Sequence, residues 1–326
     1  MRFIIYGAGG IGGVVGGHLA RTGQEVVLIA RPGHVNAINA SGLRLVTPTG
    51  THVLRIPAVT APGQVSFTPD DVVLLTMKSQ HTEAAMGDLK KVTADVPVFC
   101  LQNGVRNEEI VSPFFPRVYG VMVRIGAVYM TDGEVTARRD PPGLLIIGRY
   151  PRGKDALAEA VVAAVRRASF LSVAVDDVMP YKWGKLMDNL GNAIDGITNG
   201  RYRDLQPIQR AAQQELKDLL AAAHIEWVPS SEVERRLPEL AAPVKGQLET
   251  QAASSTWQSL ARRTGTVETE FLNGEVVRLA KRLGRQAPIN EKLWRISTEM
   301  SARGEVPGKY TPQQLMEMLG IKADGR

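Results

Sequence analysis

The chain is expected to fold as an α/β protein in two parts: a doubly wound parallel sheet over residues 1–177 and an all-helical part over residues 178–326. Three observations predict this. Short apolar runs alternate with helical patterns through the first half, as a parallel sheet with helical crossovers requires. A Gly7-x-Gly9-x-x-Gly12 stretch joins the first of those runs, Phe3-Ile4-Ile5-Tyr6, to a helical pattern. After about Asp177 long amphipathic helices take over, at about 180–197, 205–224, 245–263, 266–284 and 289–303.

The glycine stretch sits where its chemistry needs it. The first glycine permits a tight turn, and the second lets a pyrophosphate approach the backbone. The third lets the helix close on its strand, so that helix N-terminal amides meet phosphates. Gly7, Gly9, Gly10, Ile11 and Gly12 are therefore candidate cofactor contacts of a Rossmann-like domain. The helix Gly10–Thr22 ends at Gly23, and Glu25–Ala30 is the second strand. NAD-preferring folds place Asp or Glu at the end of that strand to hold a ribose hydroxyl. This chain has Arg31 there, followed by Pro32-Gly33-His34. A guanidinium pairs bidentately with a 2′-phosphate, so the expected cofactor is NADPH. His34 reads as a surface residue at a helix start.

Leu43–Thr47 and His52–Ile56 flank Pro48-Thr49-Gly50 as a hairpin-like excursion. Asp71–Thr76 and Val96–Leu101 are further buried strands, with a polar helix, Thr82–Lys91, between them. From about Val118 the pattern turns to hairpins: Val121–Met130, Glu134–Arg138 and Gly143–Ile147, with Asp132-Gly133 as a turn. The helix Asp155–Ala168 and the strand Leu171–Val175 complete this half. The tail Ile321–Arg326 is expected to fray.

With 326 residues the chain has room for two domains and a sizeable core. Its net charge of +6 suits anionic ligands. The basic residues are spread out rather than grouped with aromatics, which argues against nucleic acid. The single cysteine, Cys100, rules out an internal disulfide, fits a reducing cytoplasm and sits in an apolar run as a structural thiol. Residues 3–17 carry no charge, but their glycines and strand-turn-helix pattern do not fit an export signal. No segment is long and apolar enough to span a membrane. A cytoplasmic protein without a metal site is expected.

Four groups carry chemistry. Lys78 and Asn103, the latter in Gln102-Asn103-Gly104, each follow a strand, where open α/β sheets bind ligands; an Asn-Gly is equally a plain turn. Lys185, Asn189 and Asn192 are spaced i, i+4, i+7 and share a face of one helix. Glu268, with Glu270 and Asn273, follows on a later helix after Ser254-Ser255-Thr256-Trp257-Gln258.

Together these residues resemble the ketopantoate reductase family along essentially the whole chain. The resemblance rests on the glycine loop, Lys78, Leu101-Gln102-Asn103-Gly104, Lys185 with Asn189, Ser255-x-x-Gln258 and Glu268-x-Glu270-x-x-Asn273-Gly274. It implies a Rossmann domain followed by a helical domain, and NADPH-dependent reduction of 2-dehydropantoate to (R)-pantoate in pantothenate synthesis. By matched position Lys185 is the proton donor, with Glu268 beside it, while Asn103, Asn189 and Ser255 hold substrate. The family's second substrate asparagine falls on Ala193, with Asn192 one residue earlier, which leaves the exact 2-oxo acid open. Lys182 is the alternative donor. A related reductase of another branched 2-oxo acid, and a non-catalytic NADP(H)-sensing regulator, are the competing readings. The helical part could support a homodimer.

Overall fold

The computed structural model describes residues 1–199, 202–249 and 254–321. Strand β1 (Arg2–Tyr6) runs into helix α1 (Gly10–Arg21), and β2 (Glu25–Ile29) into α2 (Pro32–Ser41). The hairpin of β3 (Leu43–Thr47) and β4 (Gly50–Leu54) follows, and then β5 (Ala58–Val59). Next come β6 (Asp71–Leu75), α3 (Thr82–Lys90), β7 (Val98–Cys100) and the short α4 (Asn107–Val111). After β8 (Val118–Ile125) the chain forms β9 (Ala127–Val128), β10 (Glu134–Ala137), β11 (Arg139–Asp140) and β12 (Gly143–Arg149). Helix α5 (Ala156–Arg167) and β13 (Leu171–Ala174) end this run.

Among the described residues eight strands form one sheet in the order β13-β12-β8-β7-β6-β1-β2-β5. Its pairs are parallel apart from β12 against β8. The side-chain period of two explains its layers. Phe3 and Ile5 of β1 enter one apolar cluster, and Ile4 enters the other. The same split separates Leu74 from Leu75 and Phe99 from Cys100. Both faces are therefore covered, which is why these strands read as continuous apolar runs. Phe99 stacks on Tyr119 with centroids 4.2 Å apart. Strands β4, β3, β10 and β9 form a separate small sheet packed on α1. Cys100 is buried in β7, and burial raises its thiol well above the usual range.

The first unit comprises Met1–Lys182 and Pro229–Thr250. The second comprises Trp183–Val228 and Gln251–Arg326. The helix expected over 180–197 is two helices, α6 (Met179–Asn189) and α7 (Gly191–Thr198). They are followed by α8 (Tyr202–Ala222) and, back in the first unit, α9 (Val233–Arg236) and β14 (Gly246–Gln247). Residues 229–250 belong to the first unit rather than to the helical part expected over 178–326, and β14 pairs antiparallel with β11. The helix expected over 245–263 is accordingly shortened to α10 (Ser255–Ala261), with Ser254 as its cap. The second unit continues with α11 (Asn273–Arg282), α12 (Pro288–Ala302) and α13 (Pro312–Leu319). Helix α12 has Ala287 at its start and no capping side chain of its own. The Glu215 carboxylate of α8 instead accepts the Ile289 and Asn290 amides at 2.8 and 3.0 Å. The tail expected to fray lies, beyond Ile321, outside the described residues.

His18, in the last turn of α1, is 6% exposed and meets Phe170 edge-on. Burial first, then Arg21 and His52, lowers its pKa from 6.5 to about 4. The unfolded chain therefore binds the extra proton first as pH falls, so stability drops between pH 6.5 and about 4. The full loss is about 3 kcal/mol. Urea titrations at pH 7 and pH 4.5 are expected to show a smaller acid-induced loss in His18→Leu than in the parent. Equal losses would refute this account.

Candidate active site

In the first unit the site is built where the sheet order reverses. Strand β1 is flanked by β2 on one side and β6 on the other, so a crevice opens past the ends of β1 and β6. Gly7 has φ +111°, and a Cβ there would collide with the backbone of Met77. Gly12 packs so closely on β1 that a Cβ would overlap the Gly7 carbonyl and lie 2.9 Å from Ile5 Cγ2. The Thr76 hydroxyl donates to the Gly7 carbonyl at 3.0 Å, pinning the turn to β6. Gly9 is the cap of α1; neither it nor the first turn carries an acidic side chain, so the first amides suit an anion. Gly9 and Gly10 face Tyr129 and Ala127, and Ile11 packs its side chain on the core. The turn therefore fits a dinucleotide pyrophosphate.

Arg31 caps α2 from an exposed position. His34 is fully buried rather than on the surface, because its Nδ1 accepts the Gly133 amide at 2.8 Å. Lys78 caps the 3₁₀ turn Ser79–His81. Burial, followed by the charges of Arg31 and Lys78, holds His81 below the usual imidazole range. Two cations thus share the neighbourhood of one half-buried histidine, which is a setting for a phosphate.

A buried network ties the Lys78 and Asn103 loops together. The Asn103 carbonyl accepts Ser79 Oγ at 3.3 Å and Asn107 Nδ2 at 2.9 Å. Asn107 Nδ2 also donates to Ser79 Oγ at 3.1 Å, and Gln102 Nε2 donates to Thr82 Oγ1 at 2.8 Å. Gly104 follows Asn103 with φ +82°, so the Asn-Gly is also a genuine turn. Ser79, Thr82 and Asn107 were not singled out from the sequence; their only signal there was polarity just past two apolar strands.

In the second unit Lys185 is half-buried and Asn189 is buried, one turn apart on α6. The break at Leu190 puts Asn192 on α7, so the i+7 register with Lys185 is not carried by one helix. Asn273 stabilises that break: its Nδ2 donates to the Leu190 carbonyl at 3.4 Å and to Asn290 Oδ1 at 3.0 Å. Asn192 Nδ2 donates to Ser255 Oγ at 3.3 Å, so these two expected substrate contacts do meet. Ser254 helps seat them, accepting the Trp257 amide and donating to the Asn192 carbonyl at 3.3 Å. Glu268 is buried at the start of the 3₁₀ turn Glu268–Phe271, whereas Glu270 is exposed. Lys182, the alternative donor, is 2% exposed and ion-paired with Glu108, itself fully buried.

Among the described residues no cluster of three or more His, Cys, Asp or Glu could hold a metal, and no helix is long and apolar enough to cross a membrane. Family models described as ketopantoate reductase PanE/ApbA and its C-terminal domain match residues 3–152 and 177–301. A 2-dehydropantoate 2-reductase of Pyrococcus horikoshii is 30% identical over 303 residues, covering 90% of this chain and 95% of that protein.

The chain belongs to the ketopantoate reductase family.

A crystal structure of a PanE/ApbA family ketopantoate reductase from Ralstonia eutropha JMP134 shares 29% identity and a TM-score of 0.76, covering 93% of this chain and 99% of that one. D-Mandelate dehydrogenase, solved with NADH and anilino(oxo)acetate, shares the fold at 20% identity and a TM-score of 0.75, covering 93% of this chain and 99% of its own. Ala193 is fully buried on α7. Its side chain faces the core, and Asn192 beside it is half-buried.

Proposed function

We propose that this chain reduces 2-dehydropantoate to (R)-pantoate with NADPH, in the cytoplasmic synthesis of pantothenate and coenzyme A. The observation that carries the reading is that, of the two lysines on α6, only Lys185 keeps its side chain accessible, since Lys182 is consumed by Glu108. When bound, the nicotinamide supplies hydride to the C2 carbonyl of the oxo acid. Gly7, Gly9, Gly10, Ile11 and Gly12 hold the pyrophosphate, Arg31 takes the 2′-phosphate, and Lys78 and Asn103 lie by the reacting end. Lys185, as ammonium, donates the proton that the carbonyl oxygen needs as negative charge develops on it. Glu268 keeps Lys185 charged and oriented, while Asn189, Asn192 and Ser255 bind substrate hydroxyl and carboxylate groups.

NADPH oxidation measured against a panel of 2-oxo acids tests this. Turnover with ketopantoate supports it, and turnover only with other branched oxo acids replaces the substrate. Cofactor binding without turnover on any acid would make the chain a sensor. Arg31→Ala is expected to weaken NADPH about tenfold or more, the value of a charge-assisted pair to phosphate, and to leave NADH within about twofold. Equal losses for both cofactors in fluorescence titrations would remove the assignment of Arg31.

A further inference from the structure

The loop between β9 and β10 carries a cluster that the proposed reaction leaves unused. Tyr129 stands against the glycine turn, so that a Cβ on Gly9 would lie 3.5 Å from its ring. The Tyr129 hydroxyl donates to Asp132 Oδ1 at 2.5 Å. Asp132 Oδ2 presses on Gly33, in the first turn of α2, so closely that any Cβ there would overlap it. His34 supports the loop, with its ring 4.7 Å from Tyr129 and its Nδ1 accepting the Gly133 amide. That nitrogen lies 3.9 Å from Asp132 Oδ1, beyond hydrogen-bond distance. The Asp132 side chain is 49% exposed, and among the described residues its Oδ2 accepts no hydrogen bond.

The loop thus reaches from the pyrophosphate turn to the end of β2, the stretch along which folds of this type lay the adenosine ribose. An acid at the end of β2 accepts the ribose hydroxyls in NAD-preferring members. Strand β2 ends here in Ile29-Ala30-Arg31 and has no acid. The small sheet brings a carboxylate to the same turn from more than 100 positions later in the chain.

We propose that Asp132 accepts the adenosine ribose hydroxyls and sets the balance between NADH and NADPH. The inference rests on the dinucleotide reading of the glycine turn. Arg31 attracts a 2′-phosphate, while Asp132 repels it and rewards a free 2′-hydroxyl, so the site takes both cofactors. Tyr129 positions the carboxylate through its hydroxyl.

The test is direct binding of NADH and NADPH, read by dinucleotide fluorescence with no oxo acid present, to the parent, Asp132→Asn and Asp132→Glu. The parent is expected to bind both. Asp132→Asn is expected to weaken NADH about fivefold and tighten NADPH about threefold, and Asp132→Glu to keep the parent ratio within about twofold. An unchanged ratio in Asp132→Asn, equal losses for both cofactors, or a parent that binds NADPH alone would each overturn the proposal. A parent that binds neither dinucleotide would overturn the reading of the glycine turn along with it. Oxo-acid turnover with NADPH is scored separately, so failure of the reductase reading stays distinct.

Discussion

Lys185→Ala is expected to lower kcat for oxo-acid reduction by about 10²–10⁴, the usual worth of a positioned general acid. NADPH affinity should hold within about twofold, because the proposed cofactor residues lie in the other unit. The change should fall on kcat more than on KM, since the proton is needed only as charge builds on the carbonyl oxygen. Lys185→Arg keeps the charge but gives up its proton far less readily, so it should recover little activity. Rapid-mixing turnover of a variant that kept near-parental kcat would end the role assigned to Lys185. Lys182 offers no rescue, being sealed in its pair with Glu108.

Glu108→Ala is expected to cost about 3–5 kcal/mol of stability, because it leaves the Lys182 ammonium buried without its partner. The Glu108 carboxylate also fills space beside Gly120, where a Cβ would stand 3.1 Å from its Oε1, so a small cavity adds to the loss. Thermal unfolding should shift down by about 4–7 °C. Replacing both partners, Glu108→Leu with Lys182→Met, removes both charges and should recover most of that loss. A single variant that melts within about 2 °C of the parent would show that the pair contributes little.

The sheet strands and the glycine turn could be read from the sequence because their signals are local. Phe3, Ile4 and Ile5 must all be apolar when both faces are covered, and Gly12 must lack a Cβ to sit on Ile5. Pairings between distant residues left no such trace. Glu108 and Lys182 are 74 positions apart, and His34 is buried by an amide 99 positions away, so neither environment has a periodicity. The break at Leu190 was also hidden: the apolar pattern continues through it, and the Asn273 amide that donates to the Leu190 carbonyl lies far along the chain. Residue types and spacing marked Lys185, Asn189 and Glu268 as candidates. The network of Ser79, Thr82 and Asn107 came only from the fold, because serine, threonine and asparagine after a strand look like any loop.

The polypeptide passes between the two units at 182, 228 and 250, so neither unit is a continuous stretch of chain. A fragment cut near residue 177 would strip β11 of β14 and remove Leu240, which is buried. Dissecting this enzyme into separately expressed halves would therefore call for a graft of 229–250 onto the amino-terminal piece, with a short synthetic bridge in place of the excised helices. A simple truncation would leave an edge strand seeking a new partner, and hence an aggregating product.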